Sequence, residues 1–269
     1  MNSALLDQFD LTGQVALVTG SSSGLGAAAA AALAAAGARV VVHGRDPERA
    51  REAAARIGDA GGDADTVVGD VTDTAWVRRA FDEIIERHGR LDVVMANAGV
   101  AGGPNYRLPG GAIADLADED WDRVVRGNLT SVLATLREAS RVMSEGGRII
   151  VTSSTAGLRT DPFVGYSYVA TKAAVVNLVR QAALELAPRR IRVNALAPGP
   201  FKNTRIGGDN VLTDERERAW VETIPLGAMG LPEQLQGPVL FLASEASSFV
   251  TGVTLPVDGG ALLLSHAHY

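Results

Sequence analysis

The stretch that most narrows what this chain can fold into runs from Gln14 to Gly37, QVALVTGSSSGLGAAAAAALAAAG. Val15 to Val18 is a short apolar run of the kind that fills a buried parallel strand. Gly20, Gly24 and Gly26 follow in a turn, and an alanine-rich helix then runs to Gly37. Glycine lets the backbone turn sharply and lets a ligand approach without meeting a Cβ. The first turn of a helix carries unpaired N–H groups and a partial positive charge, which together suit a phosphate. Ser21, Ser22 and Ser23 add hydroxyl donors beside it, and the alanines let the helix lie close against a sheet. A strand before and a helix after turn a glycine-rich connector into a nucleotide-binding signal.

Strand and helix alternate along the rest of the chain. A second strand, 39–42, ends at His43-Gly44-Arg45, and Asp46-Pro47-Glu48 reads as a helix start. There Asp is the N-cap, Pro the first helical residue and Glu part of the first turn. Further strands are expected at 66–68, 91–96, 148–152, 192–196 and 253–257. Helices are expected at 74–88, from Asp118 to about Glu145, through Tyr168 and Lys172 to about Ala187, and at 232–243. The segments 101–114, 155–165 and 200–213 read as loops. This alternation is the signature of an α/β fold, a doubly wound parallel sheet (Rossmann fold) with helices on both faces. No linker or shift in composition divides the chain, so a single domain over 1–269 is expected. In such sheets ligands bind beyond the carboxyl ends of the strands. Gly20, Arg45, Asp70, Asn97, Ser154 and Pro198 all fall at or just past such ends, and convergence on one edge is expected.

Composition excludes several other classes. A net charge of −6 leaves no basic footprint for nucleic acid. With no cysteine there are no disulfides or thiolate metal sites, which fits a reducing compartment. The N-terminal MNSALLDQFDLTG lacks the basic start and apolar core of a signal peptide, and no apolar run is long enough to span a bilayer. A soluble cytoplasmic protein is expected, with neither nucleic acid nor membrane as a partner. The histidines do not point to a metal site: His266 and His268 sit in the C-terminal tail, and His43 and His88 stand isolated.

Tyr168 and Lys172 are four apart on an expected helix, so both project from one face. An exposed tyrosine ionises near pH 10, and lowering it by about 2–3 units requires roughly 3–4 kcal/mol. A lysine charge ~4 Å away supplies about 4 kcal/mol at an effective dielectric near 20. Lys172 is therefore expected to activate Tyr168, whereas Tyr166 has Ala170 where its lysine would be. Ser154, at an upstream strand end, is placed to hydrogen-bond the oxygen whose proton Tyr168 exchanges. Its bland alternative is a helix or turn cap.

With these residues in view, the chain resembles the short-chain dehydrogenase/reductase family over essentially its whole length. TGSSSGLG (19–26), GDV (69–71), NAG (97–99), Asn128, Ser154, YVATK (168–172), APG (197–199) and VDGG (257–260) occur in that family's order and approximate spacing. The resemblance implies Tyr168 as acid/base, Lys172 lowering its pKa and holding the nicotinamide ribose, Ser154 orienting the substrate oxygen, and Asn128 fixing a water that relays protons to Lys172. Hydride would pass directly between nicotinamide and substrate carbon, so the resemblance implies that no metal is needed. The cofactor would lie along Gly20, Ser22, Ser23, Gly24, Leu25, Gly26, Arg45, Asp70, Val71, Asn97, Ala98, Gly99, Tyr168, Lys172, Pro198, Gly199 and Phe201. Relatives are commonly homotetramers, and VTLPVDGG resembles a strand used at such interfaces.

Two departures from the family pattern stand out. The serine-to-tyrosine spacing is one residue longer than the commonest, so Ser153 and Thr155 stand as rivals to Ser154; in PGPFKNT, Thr204 falls one place late for a carboxamide contact. Gly44 occupies the position where an acid would bind a ribose 2′-OH, and Arg45 offers a forked donor to a 2′-phosphate, so NADP(H) is favoured over NAD(H). Asp46 lies near the acid position but is explained as an N-cap, and Ser23 stands where NADP-preferring relatives often carry Arg or Lys. HGRDPER and PGPF resemble a gluconate 5-dehydrogenase-like branch, which points to a small-molecule sugar acid or polyol, with a 3-oxoacyl-[acyl-carrier-protein] reductase as the close rival. A nucleotide-sensing protein without catalysis is the reading from a different class. Arg107, Lys202 and Arg205 are basic loop residues open to an anionic substrate, with plain solvation as the alternative reading.

Overall fold

The computed structural model describes residues 3–204 and 213–264. Arg205, His266 and His268, and most of the 200–213 loop, lie outside the described residues. The strands are β1 Val15–Val18, β2 Arg39–Gly44, β3 Asp63–Val68, β4 Val93–Ala96, β5 Arg148–Thr152, β6 Arg192–Pro198 and β7 Thr254–Val257. They form one sheet in the order β3-β2-β1-β4-β5-β6-β7, every pairing parallel. The strand order reverses between β1 and β4, and such a switch point opens a crevice beyond the carboxyl ends.

The helices are α1 Ser3–Leu6, α2 Gly24–Ala35, α3 Pro47–Asp59, α4 Thr74–His88, α5 Asp118–Val125, α6 Ser131–Val142, α7 Tyr166–Leu186, α8 Asp214–Val221 and α9 Gln236–Ala243. Alternate strand residues feed two cores, as the twofold period of a strand requires. Val15, Leu17, Val94 and Ile149 pack with Phe81 and Ile84 of α4, Leu136 of α6 and Val179 of α7. Ala16, Val18, Val40 and Met95 pack on the other face with Ala29 and Leu33 of α2, Ile57 of α3 and Leu242 of α9.

Local chemistry sets the helix ends. Asp46 accepts hydrogen bonds from the backbone N–H groups of Glu48 and Arg49, and Asp73 does the same for Ala75 and Trp76. Along α7, Tyr168, Lys172, Val175, Val179, Ala183 and Leu186 form one buried stripe. The face that docks the helix on the sheet therefore also aims its first two members at the strand ends.

Some boundaries differ from expectation. β2 runs two residues further and β3 begins three earlier, because both continue their pairing along the edge of the sheet. β4 and β7 start later, at Val93 and Thr254, and residues 155–157 form a short 3-10 turn inside the expected loop. The expected helix from Asp118 to Glu145 is three pieces, α5, a π-type turn at Arg126–Thr130, and α6 ending at Val142. In the turn the Ser131 N–H reaches back to the Arg126 carbonyl, one residue beyond α-helical spacing. Gly127 sits there because a Cβ would come within 2.9 Å of Val100. The expected 232–243 helix opens with a 3-10 turn over Pro232–Leu235, and α8 lies where no element was expected.

Candidate active site

At the carboxyl edge the strand ends are fastened to one another through side chains. Thr19 Oγ1 accepts the N–H groups of Asn97 (2.9 Å) and Ala98 (3.0 Å), tying β1 to β4. Asn97 Nδ2 donates to the carbonyls of Thr19 (3.0 Å) and Gly20 (3.2 Å). Its Oδ1 accepts from Thr152 Oγ1 of β5 at 3.1 Å. The Gly199 N–H donates to the Val257 carbonyl at 3.0 Å, and a Cβ on Gly199 would crowd Asp258.

These ends line a cavity of about 440 Å³ containing every expected cofactor residue from Gly20 to Phe201: Gly20, Ser22, Ser23, Gly24, Leu25, Gly26, Arg45, Asp70, Val71, Asn97, Ala98, Gly99, Tyr168, Lys172, Pro198, Gly199 and Phe201. Thr204 lines it too. The residues fit a dinucleotide. Gly20 (φ +66°) and Gly24 (φ +58°) adopt the left-handed conformation that favours glycine, and a Cβ on Gly26 would collide with the Gly20 carbonyl. Ser23 precedes α2 without capping it through its side chain, so the first N–H groups of the helix remain for a phosphate at the cavity wall. At the far end Arg45, exposed and 4.0 Å from Asp70, lines the cavity with Asp46 and Arg49. Asp46 is committed to capping α3 and pairs with Arg49 at 3.5 Å. A Cβ on Gly44 would lie 3.0 Å from Ser22 Oγ, so a longer side chain there would crowd the turn.

At the other end Ser154, Tyr168 and Lys172 come together, all buried. Burial pushes the Tyr168 phenol above its ordinary pKa; a hydrogen bond with Ser154 pulls it back, and the charge of Asp161 adds to the rise. The expected lowering by Lys172 is not what sets this balance. Lys172 Nζ lies 5.6 Å from the Tyr168 ring centre and donates to the Thr152 carbonyl at 2.8 Å. Burial brings its own pKa down to about 8. Desolvation outweighs the pair attraction because both groups sit in the same buried wall.

Ser153 and Thr155 divide from Ser154 by what they touch. Ser153 Oγ donates to the Lys172 carbonyl at 3.0 Å and so fastens β5 to α7. Ser154 Oγ accepts from the Ala156 N–H at 3.2 Å, so the turn-cap role coexists with its bond to Tyr168. Thr155 is buried along the neighbouring cavity wall. Asn128, fully buried in the π-type turn, exchanges two hydrogen bonds with the Val100 backbone, accepting at 2.7 Å and donating at 2.9 Å. A Cβ on Gly99 would lie 2.9 Å from its Oδ1 and 3.8 Å from Lys172 Nζ, so Gly99 keeps this corner open.

A second cavity, about 590 Å³, shares Ser154, Tyr168, Gly199, Phe201 and Thr204 with the first. Its other walls include Gly102, Asp161, Phe163, Lys202, Glu217, Trp220 and Met229. Phe163 and Trp220 pack with ring centres 4.5 Å apart. Lys202 is ion-paired with Glu217, and Arg107 packs over Tyr106 rather than lining either cavity.

Sequence reasoning missed three contributors. His43 is not isolated: it is buried in the wall of the first cavity, with both ring nitrogens engaged. Its position one residue before the glycine at the β2 end was the available signal. His88, which lines neither cavity, likewise has a neighbour, the Asp65 carboxylate at 3.5 Å from Nε2. Arg49, three residues after the Asp46 cap, was legible from helical spacing. Trp220 lies on α8, which carried no expectation.

The family described as enoyl-(acyl carrier protein) reductase matches residues 20–261. Versicolorin reductase of Emericella nidulans is 37% identical over 268 residues, covering 95% of this chain and 98% of that one. 3beta-hydroxysteroid dehydrogenase 1 of Eggerthella lenta is 40% identical over 261 residues, covering 94% and 95%. Among solved structures, a gluconate 5-dehydrogenase from Burkholderia cenocepacia in complex with NADP and tartrate superposes with a TM-score of 0.87 at 35% identity, covering 97% of this chain and all of that one.

Proposed function

The chain belongs to the short-chain dehydrogenase/reductase family, an oxidoreductase family that binds a nicotinamide cofactor and acts on CH–OH groups, and on that premise we propose an NADP(H)-preferring enzyme, one catalytic domain over 1–269, that interconverts a secondary alcohol and a ketone. The observation that carries the proposal is the meeting of the two cavities at Ser154 and Tyr168, with Lys172 behind them. The bound nicotinamide supplies or accepts the hydride. Tyr168, kept protonated at neutral pH by burial, gives its phenolic proton to the carbonyl oxygen in reduction and takes the hydroxyl proton back in oxidation. Ser154 steadies that oxygen with its hydroxyl. Lys172 holds the ribose and Asn128 fixes the water that feeds protons to it; the packing of both around Gly99 supports these roles. The preference for NADP(H) rests on Arg45 and Arg49 at the far end, on Gly44 in place of an acid, and on the NADP that the gluconate 5-dehydrogenase holds.

For substrate, a sugar acid or polyol follows from the HGRDPER and PGPF segments and from the gluconate 5-dehydrogenase likeness. One observation favours a second reading: the Phe163–Trp220 pair suits a flat or alicyclic ring, and the versicolorin and hydroxysteroid relatives are named for such compounds. A 3-oxoacyl-[acyl-carrier-protein] reductase stays as a further rival, and the matching family's description shares with it only the acyl carrier protein. The same reading makes the enzyme cytoplasmic and a homotetramer; the fully exposed Phe249 and the exposed Leu184 near edge strand β7 support the self-association. Consumption of NADPH and NADH against a panel of sugar-acid, polyol-derived, polycyclic and 3-oxoacyl ketones tests the proposal. Turnover of at least one class is expected; tight NADPH binding without turnover of any would replace the enzyme with a nucleotide sensor.

A further inference from the structure

His43 lies at the end of β2 and is almost wholly buried. Its Nδ1 is 2.9 Å from the Gly20 N, and its Nε2 is 3.1 Å from the Gly69 carbonyl oxygen. An amide N–H only donates and a carbonyl only accepts, so Nδ1 is bare and Nε2 carries the proton. The backbone repeats the tie: the Ser21 N–H donates to the His43 carbonyl (2.8 Å), and the His43 N–H donates to Ser21 Oγ (2.9 Å). Ser21 Oγ in turn donates to the Val18 carbonyl at 2.6 Å. Trp76 of α4 closes the pocket, its ring centre 5.1 Å from the imidazole and its Nε1 donating to the Val68 carbonyl. One side chain thus joins the ends of β1, β2 and β3.

We propose that His43 is a positioning residue for the dinucleotide: its neutral Nε2–H imidazole fixes the phosphate-cradling turn at Gly20 relative to the Gly69–Asp70 strand end, so that both are preformed as one unit. The inference rests on the dinucleotide reading of the cleft. Gly20 sits at φ +66°; its carbonyl is held by Asn97 Nδ2 at 3.2 Å and the next N–H, of Ser21, by the His43 carbonyl, so the His43 ring is what holds the Gly20 N–H and sets the tilt of that peptide in the cradle. The charged groups facing the ring are Asp70, beyond β3, and Arg45, beyond β2; Trp76 and Ser21 contribute none. Burial lowers the ring's pKa from 6.5 to about 4; Gly69 and Asp70 oppose the fall and Arg45 adds to it. An unfolded histidine takes up its proton more readily, so the stabilisation is full above pH 6.5 and declines as the pH falls toward 4. Protonation would set a second donor against the Gly20 N–H.

Two substitutions separate positioning from plain stability. In His43→Asn the amide oxygen, attached at Cγ as Nδ1 is, still accepts from Gly20 but nothing reaches Gly69. In His43→Gln the amide reaches Gly69 and leaves Gly20 without an acceptor. NADPH and NADH titrations followed by protein fluorescence, with Tm measured alongside, should find both variants weaker than wild type by about 10–100-fold, more than their loss of Tm accounts for, because each cuts one half of the tie between Gly20 and Gly69. Either variant binding as tightly as wild type would overturn the proposal, as would both variants weakening only in step with Tm. Imidazole ¹⁵N spectra of the wild-type protein need no variant: a proton on Nδ1 at neutral pH, or titration at the ordinary value, would overturn it as well. A wild type that binds neither dinucleotide would instead remove the cofactor reading and this inference with it.

Discussion

Around the first cavity most walls are strand ends tied to their neighbours by hydrogen bonds of about 3 Å, as Thr19, His43 and Asn97 show, whereas the second takes its walls from turns at 101–103 and 161–165, the 199–204 segment and α8. The sheet register fixes the first set: seven parallel strands can end only where their pairing ends, and their polar ends must find partners. No such ladder fixes the second set. A scaffold of this kind can hold one cofactor while its loops change substrate. The relatives fit that division, being named for versicolorin and for a hydroxysteroid while matching nearly all of this chain.

The largest effect is expected at Tyr168, which belongs to both cavities. Tyr168→Phe should lower kcat by ~10²–10⁴-fold with dinucleotide affinity unchanged; near-normal turnover would remove it from the mechanism. The next concerns the first cavity alone. Arg45→Ala should weaken NADPH by about 10–100-fold and leave NADH nearly unchanged, since a hydrogen bond to a charged group is worth about 1.5–3 kcal/mol. Equal affinities in variant and wild type would mark Arg45 as a bystander, and a wild type that prefers NADH would give the ribose to Asp46. The smallest lies on the loop side. Trp220→Ala removes the ring packed at a tilt against Phe163 and should cost about 2–10-fold in kcat/KM, with no change in dinucleotide affinity. A parallel loss of NADPH binding would show that the two cavities are not independent.

The same contrast explains what was legible in the sequence. β1, the glycine turn and Tyr168–Lys172 were readable because a buried strand, a close backbone approach and a helical face each demand a narrow choice of residues at fixed spacing. The parallel sheet followed from the alternation. The π-type turn was hidden because the extra residue that buries Asn128 leaves the apolar period nearly intact, and Gly127 points to it only once Val100 is known to be adjacent. His43 looked isolated because both partners of its ring are backbone atoms, which carry no residue signature. The direction of the Tyr168 pKa was misread for a related reason: spacing reports a lysine nearby but not how thoroughly the fold dries both groups. α8, polar and only weakly periodic, gave no pattern to read, and with it the Phe163–Trp220 pair.

The central claim is that hydride moves directly between dinucleotide and substrate carbon in this cleft while Tyr168 handles the proton. Turnover of an accepted ketone with NADPH deuterated at the transferring position, followed by mass spectrometry of the alcohol, tests it most directly. One deuterium retained on the former carbonyl carbon, with none exchanged into solvent, is the predicted result. Alcohol formed without deuterium at that carbon would contradict it.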